Sequence, residues 1–588
     1  MHGRLKVKTT AEKEAEKNKI REKKKQVYLK CMNKIKGMYN SGDRSVELLN
    51  IITKVLENIP EFSTLWNWRR VVLLDIFSSC SDEKQEKESE TVVKESETLE
   101  KESESDKTCE REAPNKAAMI LSEKLFVARC LDVNPKAYSL WSHRRWLVEQ
   151  NTSECVIKEE LNLCNLFLKY DARNFHCWDY RRFIVKLGGI KIESELEMST
   201  SLIERNFSNY SAWHYRTTLL DTQDMGVVRE ELEWAQNAYF TDPSDQSVWL
   251  YYQWLLGRET QEDKLLAVYR DTTNSTINLL LNNLTYTAPT NIQIQENSDN
   301  NTDNSTDKST DKGNVTWNCH SFPAKLWWCD ATHLSDNVTV SLGGATVTLC
   351  SGDTLGVVPG GISPRINYTA PQDIVQEQLG NIRELYELEP DNKWVILTYL
   401  DMVNTCNPHK SKEQITEIRN LTVKLCHVDT MRTGYYRDLW TKLLCETAVT
   451  AWWANMSRDI TSRDPLNLSK KYITKLGHSE YMFALRELDL SHNNLTSLTG
   501  FSSLVAVEKV NLSHNKLHSL QGLEECKNLT ELDASHNLIH NACGILSCTK
   551  CRLRALCLLG NPLATSSVYP GCVVQSCPML CLLDNREL

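Results

Sequence analysis

The stretch Asp171-Ala-Arg-Asn-Phe-His-Cys-Trp178-Asp-Tyr-Arg181-Arg182 decides the fold of this chain, because its tryptophan recurs with a nearly constant spacing. From Trp141 onward the intervals between these tryptophans are 37, 35 and 36 residues. Such a period is typical of stacked helical hairpins, with one hairpin in each repeat. An arginine usually follows three residues later, on the same helix face. The five copies are centred on Trp66, Trp141, Trp178, Trp213 and Trp249.

The repeated pair predicts a buried core with a charged neighbour. We expect each tryptophan to pack inside its hairpin, and each arginine to lie along the surface or to pair with an acid on the next hairpin. Helix-start residues stand seven positions before four of the tryptophans, and proline follows two of them. We therefore expect the helices to begin at these capping residues, with the tryptophan about two turns in; the four are Asn134, Asp171, Asn206 and Asp242.

Composition excludes several classes of protein. The 588 residues are too many for one core, and the net charge of −9 argues against a nucleic-acid binder. No apolar run approaches the length of a membrane span, and no hydrophobic segment follows the charged N-terminus as it would in a secretory signal. These features predict a cytoplasmic protein whose 21 cysteines are free thiols. The chain also has no phosphate loop of the P-loop type and no His-Glu-x-x-His zinc motif.

Two charged segments flank the first repeat. Residues 4–30 hold 11 Lys and Arg against 4 Glu, which predicts an exposed helix leading into the repeat. Residues 81–115 are a low-complexity run of Glu, Ser and Lys, which buries too little apolar surface to order itself. We interpret 81–115 as a disordered insertion that accounts for the long gap between Trp66 and Trp141.

The pattern changes to short β-rich runs at residues 265–370. Gly343-Gly344 between two such runs is a two-residue hairpin signal, and the polar tract 290–314 is expected to be a long loop. Helical patterning resumes at about residue 371, where Glu389-Pro-Asp-Asn-Lys-Trp394 is interpreted as a sixth, degenerate repeat. The β region would then be an insertion in the helical array.

The C-terminal part is a set of leucine-rich repeats. Leu485-x-x-Leu-x-Leu-x-x-Asn493-x-Leu recurs at intervals of 22, 22 and 24 residues, within the period expected for this motif. The apolar positions are expected to fill the interior, and the asparagine to satisfy backbone groups in the turn after each strand. The equivalent asparagines in the later copies are Asn515, Asn537 and Asn561.

The predicted fold is therefore multidomain. It is an α-α helical-hairpin solenoid with an inserted Ig-like β-sandwich and a C-terminal leucine-rich repeat domain. The boundaries we expect are 1–264 for the first helical repeats, 265–370 for the insert, 371–460 for the resumed helices and 461–588 for the leucine-rich repeats.

No Ser/His/Asp set and no pair of carboxylates stands out along the chain with a spacing typical of a catalytic site. The residues alone describe a helical solenoid that binds another protein. Cys548-x-x-Cys551 together with Cys577 and Cys581 admits a zinc site, but the second pair is loosely spaced and cysteine commonly fills the core of such solenoids.

Three stretches carry a resemblance to a known family. Asn134-Pro-Lys-Ala-Tyr-Ser-Leu-Trp141, the stretch 171–182 and Asn206-Phe-Ser-Asn-Tyr-Ser-Ala-Trp-His-Tyr-Arg216 are similar to the repeats of protein prenyltransferase alpha subunits. The opening Met1-His-Gly-Arg-Leu-Lys-Val-Lys8, the β insert and the leucine-rich tail together resemble the Rab geranylgeranyltransferase branch of that family, across nearly the whole chain.

The resemblance implies a half-enzyme. Its helical hairpins would surround a beta subunit that holds Zn²⁺ and the isoprenoid pocket, and geranylgeranyl diphosphate would be the donor. Zinc would activate a substrate thiolate that attacks the first carbon of the isoprenoid. The implied acceptors are C-terminal cysteines of Rab GTPases presented by a Rab escort protein.

The resemblance also carries site residues onto this chain. Lys136 and Tyr138 match the family positions that approach the diphosphate, and an ammonium beside a helix N-terminus suits that role. Asn174 and His176 match positions that face the rim of the active site and would bind substrate. His2 matches a residue that can reach the zinc of the beta subunit.

Two alternatives remain open from the sequence. One is a non-catalytic adaptor that binds partners through the tryptophan repeats and the leucine-rich tail. The other is an alpha subunit of the farnesyltransferase type, which is disfavoured because that subunit lacks both extra domains.

Overall fold

The computed structural model describes residues 11–87, 116–257, 265–285, 292–296, 317–319, 324–332, 334, 337–342, 344–351, 353–358, 368–406, 410–456, 465–540, 552–567 and 569–588. The chain divides into two compact units, Met1–Leu220 and Asp221–Leu588. None of the helices in those ranges combines the length and apolar composition that crossing a membrane requires.

The described part of the first unit is helical. Its helices pack as successive antiparallel neighbours, α4 against α5, α6 against α7 and α8 against α9, so the predicted helical hairpins are confirmed. The helices are α1 Ala11–Asn40, α2 Val46–Leu56, α3 Ser63–Lys87, α4 Lys116–Val133, α5 Tyr138–Gln150, α6 Glu154–Tyr170, α7 Phe175–Gly188, α8 Ile192–Arg205 and α9 Tyr210–Thr217.

The charged segments of this unit depart in part from expectation. The helix predicted at 4–30 is described from Ala11 and continues to Asn40, so it is longer than its charged stretch. Helix α3 runs to Lys87, so the first seven residues of the segment predicted to be disordered are helical instead. The rest of that segment, 88–115, lies outside the described residues.

The helix starts were predicted at the wrong residues. Each oxygen of the four expected caps accepts the N–H two residues later, at 3.1–3.2 Å, which is an Asx turn before the helix. The helices begin four residues after these positions, so the tryptophan lies in the first turn. Asx turns and N-caps select the same residue types, which is why the pattern was ambiguous. The residues that cap the helices are Ala137, which has no capping side chain, Asn174, Asn209 and Asp245.

Every repeat tryptophan is buried and hydrogen-bonded in the same way. Its Nε1–H donates to the backbone carbonyl six residues earlier, at 2.8–2.9 Å, and so ties each helix to its entry turn. A buried indole N–H needs such a partner. The predicted core position of the tryptophans is therefore confirmed. The accepting carbonyls belong to Pro60, Pro135, Ala172, Phe207 and Pro243.

Buried arginine–glutamate pairs join successive hairpins. Arg144 donates from two nitrogens to Glu160 at 2.6 and 3.0 Å, and Arg181 donates to Glu195 at 2.7 and 2.6 Å. Arg69 makes the same two-point contact with a glutamate of the following hairpin, Glu123. The predicted pairing with an acid on the next hairpin is confirmed for these three arginines. Bidentate geometry supplies the hydrogen bonds that a buried pair of charges requires.

Replacing Arg181 should destabilise the first unit far more than replacing its neighbour. Arg181→Ala leaves the buried Glu195 without its partner, and we expect a loss of about 3–5 kcal/mol in the free energy of unfolding. Arg182→Ala removes an exposed side chain that reaches only Asp179, at 3.4 Å, and should cost about 0.5 kcal/mol or less. Urea denaturation followed by tryptophan fluorescence measures both. Equal losses would show that the buried pair adds no stability.

His143 takes the place of a tyrosine that donates to a glutamate in each of the next three repeats; the tyrosines are Tyr180, Tyr215 and Tyr251. Its Nε2 lies 3.2 Å from Glu123, whereas Tyr180 and Tyr215 donate to their own glutamates at 2.9 and 2.8 Å. Burial lowers the pKa of His143 to about 4, against the opposing influence of Glu123. Burial alone would raise the pKa of Glu123, but hydrogen bonds from Arg69 and His143 outweigh it and lower the pKa to about 2. His143 is therefore neutral at physiological pH.

We expect the helices around His143 to loosen as the pH falls. A histidine whose folded pKa is depressed from 6.5 to about 4 favours the folded state above pH 6.5, and this contribution is lost as the pH falls through that window. The loss amounts to about 3 kcal/mol. The protection factors of the amides in α4 and α5 against hydrogen–deuterium exchange should fall between pH 6.5 and 4, and His143→Gln should flatten that fall. The exposed His214 supplies the control, because His214→Gln should leave the profile unchanged; an unchanged profile in His143→Gln would contradict the assignment.

The second unit begins with further helical hairpins. Helix α12 packs against α13, α13 against α14, and α14 against α15. Trp394 lies in the first turn of α13, one residue after the helix begins, and the sixth, degenerate repeat stays a prediction. The helices are α10 Met225–Thr241, α11 Gln246–Leu256, α12 Gln372–Leu388, α13 Lys393–Cys406, α14 Lys412–Val428 and α15 Thr433–Met456.

Between α11 and α12 lie two antiparallel sheets that share one core. Their strand orders are β4-β2-β1-β7 and β3-β5-β6, and buried residues of both sheets form a common cluster. Strands β5 and β6 pair antiparallel, with Leu342 opposite Ala345, as the predicted hairpin requires. Strand β3 falls inside the tract expected to be a loop, so that prediction was wrong there; the Ig-like character stays a prediction. The strands are β1 Leu265–Asp271, β2 Thr276–Thr285, β3 Gln293–Glu296, β4 Ala324–Asp330, β5 Val338–Leu342, β6 Ala345–Leu349 and β7 Leu355–Val357.

The leucine-rich repeats form a mostly parallel sheet whose turns are joined by asparagines. Asn515 donates to the carbonyls of Leu490 and Leu512, and its Oδ1 accepts from Leu495 N–H. Asn493, Asn537 and Asn561 repeat this pattern, which confirms their predicted role. The elements are β8 Leu466–Asn467, β9 Glu487–Asp489, β10 Lys509–Asn511, β11 Glu531–Asp533, β12 Ala555–Cys557, α16 Gly571–Ser576, β13 Leu582–Leu583 and β14 Arg586–Glu587.

Candidate functional site

Two neighbouring turns of the first unit bring four of the five candidate residues together. The turn before α5 carries Lys136 and leads to Tyr138, and the turn before α7 leads to Asn174 and His176. The two turns touch because the hairpins that bear them are stacked through their buried arginine–glutamate pairs. The fifth candidate, His2, lies outside the described residues.

Asn174 connects the two turns from a buried position. Its Oδ1 accepts the N–H groups of His176 and Cys177 and caps α7, while its Nδ2 donates to the carbonyl of Pro135 at 3.1 Å. We predicted a substrate-binding residue at the rim. Both ends of its amide are engaged in the protein and position the residues on either side, and its role in substrate binding stays a prediction.

His176 is a buried ring that supports Tyr138. The two rings meet edge to face with centroids 4.2 Å apart. Burial lowers the pKa of His176, and the nearby Asp179 and a hydrogen bond with the backbone of Lys136 oppose the shift. His176 is therefore neutral at physiological pH and offers the site a polar ring without charge.

Lys136 and Tyr138 are the solvent-facing members of the group. The Lys136 ammonium lies 3.4 Å from Asp171, the residue that ends α6 and opens the next turn. Tyr138 is the first residue of α5, and its ring also contacts Phe175, with centroids 5.9 Å apart. Since Ala137 provides no capping side chain, the first N–H groups of α5 have no side-chain cap. The combination suits an anion.

A groove continues from these residues between α5 and α7. It has a volume of about 320 Å³ and is lined by Tyr138 and His176 at one end and by Arg145, Arg182 and Phe183 farther along the helices. The Arg145 guanidinium lies 4.1 Å from the centre of the Phe183 ring. Aromatic walls with guanidinium groups describe a surface for a partly apolar, partly anionic occupant.

Sequence reasoning missed Asp171 and the two groove arginines as members of this site. Asp171 was interpreted only as a cap, although its position beside the lysine of the previous repeat follows from the stacking. Arg145 and Arg182 are the second arginines of two of the three Trp-x-x-Arg-Arg copies, and that doubling was the available signal. In both copies the first arginine is buried and the second faces solvent.

Within the described ranges, no group of three or more His, Cys, Asp or Glu side chains is arranged to hold a metal ion. Of the cysteines considered for zinc, Cys577 is buried among the leucine-rich core residues and Cys581 is exposed. Cys548 and Cys551 lie outside the described residues.

Replacing Asn174 with Asp should loosen the turn before α5. The carboxylate still caps α7, but it cannot donate to Pro135 and instead faces that carbonyl. Asn209 caps α9 in the same way while its buried Nδ2 has no hydrogen-bond partner, so Asn209→Asp is a matched control. Both variants bury a carboxylate, and we expect Asn174→Asp to cost about 1–3 kcal/mol more. Hydrogen exchange in residues 134–138 should accelerate only in Asn174→Asp; equal exchange would argue against the connection.

The comparisons with known proteins identify the class of this fold. The family model "Protein prenyltransferase alpha subunit repeat" matches residues 120–151, 157–187, 192–223 and 228–259, which include α5, α7 and α9 with their tryptophans. A model of leucine-rich repeats matches residues 484–525. The helical repeats that build the candidate site are thus prenyltransferase alpha repeats.

Proteins with similar sequences show which members of the prenyltransferase alpha class this chain resembles. "Geranylgeranyl transferase type-2 subunit alpha" of Sus scrofa is 32% identical over 523 residues, 83% of this chain and 83% of that protein. The protein of the same name from Saccharomyces cerevisiae is 30% identical over 48% of this chain and 81% of its own length. This chain belongs to the family of geranylgeranyl transferase type-2 alpha subunits. A solved structure, "Candida albicans protein geranylgeranyltransferase-I complexed with GGPP", aligns at 12% identity over 71% of this chain and 91% of that chain, with a TM-score of 0.40, and supports no argument at that level.

Proposed function

We propose that this chain is the alpha subunit of a heterodimeric Rab geranylgeranyltransferase and that it is active only with its beta subunit. The enzyme transfers geranylgeranyl groups from geranylgeranyl diphosphate to C-terminal cysteines of Rab GTPases. Membership of the family supports the reaction class. The group of Lys136, Tyr138 and His176 supports the part that this chain plays in it.

The observation that carries the proposal is an anion-binding group placed on an exposed aromatic surface. The first residues of α5, α7 and α9 are Tyr138, Phe175 and Tyr210, and they are 71%, 57% and 44% exposed. Aromatic side chains left exposed at equivalent positions of successive repeats indicate a surface that a partner covers. The partner in this proposal is the beta subunit, which would enclose Lys136 and Tyr138 at the shared active site.

The chemistry assigned to this chain is stabilisation of the leaving group. In the transfer, the cysteine sulfur forms a bond to the first carbon of the isoprenoid while the bond from that carbon to the diphosphate oxygen breaks, and the electron pair leaves with the diphosphate. Negative charge therefore grows on the diphosphate oxygens. The Lys136 ammonium and the Tyr138 hydroxyl donate to such oxygens, and His176 and Asn174 hold the two donors in place.

Zinc, the escort protein and the location in the cell belong to the same proposal. The zinc ion implied by the resemblance has no ligand set among the described residues of this chain, and we assign its ligands mainly to the beta subunit. His2 stays a candidate for contact with that zinc. We further propose that a Rab escort protein presents the Rab substrate, and that the complex works in the cytoplasm.

Replacing Lys136 should impair transfer without separating the subunits. In the complex with the beta subunit, Lys136→Met removes the ammonium but keeps the length of the side chain, and we expect kcat/KM for geranylgeranyl diphosphate to fall about tenfold or more. The exposed lysine Lys158 on α6 provides the control, since Lys158→Met should leave the rate unchanged. The measurement is prenyl transfer to an escort-bound Rab, with size-exclusion chromatography to verify the heterodimer.

The outcomes separate this proposal from its alternatives. A full rate in Lys136→Met would remove the lysine from the mechanism. A stable complex without any transfer would favour a non-catalytic adaptor, and no complex at all would leave only the adaptor. Transfer from farnesyl diphosphate in preference to geranylgeranyl diphosphate would favour an alpha subunit of the farnesyltransferase type.

A further inference from the structure

Asp171 uses its two carboxylate oxygens for different purposes. Oδ1 accepts the N–H of Arg173 at 3.1 Å and forms the Asx turn that leads to α7. Oδ2 lies 3.4 Å from the Lys136 ammonium, which belongs to the preceding repeat. One oxygen therefore shapes the turn, and the other holds the residue to which we assign diphosphate binding.

The chain itself shows that the turn does not require the charge. Asn134 and Asn206 form the same Asx turn in their repeats with an amide oxygen, at 3.2 and 3.1 Å. Asp242 forms it with a carboxylate, and no Lys or Arg of the described part of the chain pairs with that carboxylate. The negative charge of Asp171 is thus available for Lys136, since the turn would form equally well without it.

The Lys136–Asp171 pair is exposed, and an anion can therefore compete with the carboxylate for the ammonium. The side chains of Lys136 and Asp171 are 69% and 38% exposed, and an ion pair at such a position is weak. A diphosphate carries more charge than one carboxylate and offers several oxygens, so it competes effectively for the ammonium. Asp171 then remains beside the bound diphosphate, and its charge opposes that of the ligand.

We propose that Asp171 is the resting counter-ion of Lys136, displaced when the diphosphate of the substrate binds. It is a positioning residue: it holds the ammonium between the two turns, and its charge weakens binding of diphosphate before and after the reaction. This inference rests on the proposed function of Lys136. It predicts that neutralising Asp171 tightens diphosphate binding.

Asp171→Asn is a precise test, because asparagine keeps the turn and removes only the charge. In the heterodimer, we expect the inhibition constant of inorganic diphosphate and the KM for geranylgeranyl diphosphate each to fall by about two- to fivefold, the effect of an exposed ion pair, with little change in kcat. Asp242→Asn makes the same substitution in a turn without a paired lysine and should change neither constant. In a Lys136→Met background, Asp171→Asn should have a smaller effect, because only the direct repulsion between the carboxylate and the diphosphate is then removed.

The results distinguish this inference from the proposal on which it rests. If Lys136→Met weakens diphosphate inhibition while Asp171→Asn leaves it unchanged, Asp171 only shapes the turn and the counter-ion role is wrong. A lower kcat with unchanged KM in Asp171→Asn would also overturn it, because the carboxylate would then be needed during the reaction. If Lys136→Met itself leaves diphosphate inhibition unchanged, the assigned role of the lysine fails first.

Discussion

The buried pairing of an arginine with a glutamate of the next hairpin is the interaction on which the first unit depends. A single helical hairpin cannot bury its own inner face, and the pair both fills that face and sets the offset between repeats. Two charges buried with satisfied hydrogen bonds contribute less to net stability than to the choice of one arrangement, since any slip would leave a charge without its partner. The tryptophan that precedes each of these arginines by three residues anchors the start of the same helix, because its Nε1–H donates to the turn before the helix.

The candidate site is a consequence of that offset. Lys136 and His176 lie 40 positions apart in the chain, and they meet because consecutive entry turns are held in register by the pairs beneath them. Asn174 keeps the two entry turns aligned at the surface, because its Oδ1 caps α7 and its Nδ2 donates to the backbone of the turn before α5. Of the solvent-facing residues, Tyr138 packs against the buried ring of His176, and Lys136 pairs with Asp171. This arrangement is that of a preorganised half-site, because the donors are positioned before any ligand arrives.

The sequence predicted the features that repeat and missed those that depend on which repeats are adjacent. Tryptophan, arginine and the leucine-rich asparagines recur with fixed spacing, so their burial and pairing could be inferred from the pattern. The helix starts were wrong because Asp or Asn serves both an Asx turn and an N-cap, and the chain places such residues three positions apart, as with Asp171 and Asn174. The contact of Asp171 with Lys136 has no signature in either segment alone, because it exists only once α5 and α7 are stacked.

The two repeat arrays join their turns by polar side chains of different kinds, and this difference determines how each responds to acid. In the leucine-rich repeats, the joining groups are the amides of asparagines, which do not titrate. In the helical repeats, the joining groups are carboxylates paired with arginines, and one repeat also uses His143. Burial lowers the pKa of His143, so this side chain packs closely only in its neutral form. His143 belongs to α5, the helix that begins with Tyr138. Acid therefore acts on the candidate site through the packing beneath it, while the asparagine amides of the other array carry no group that titrates.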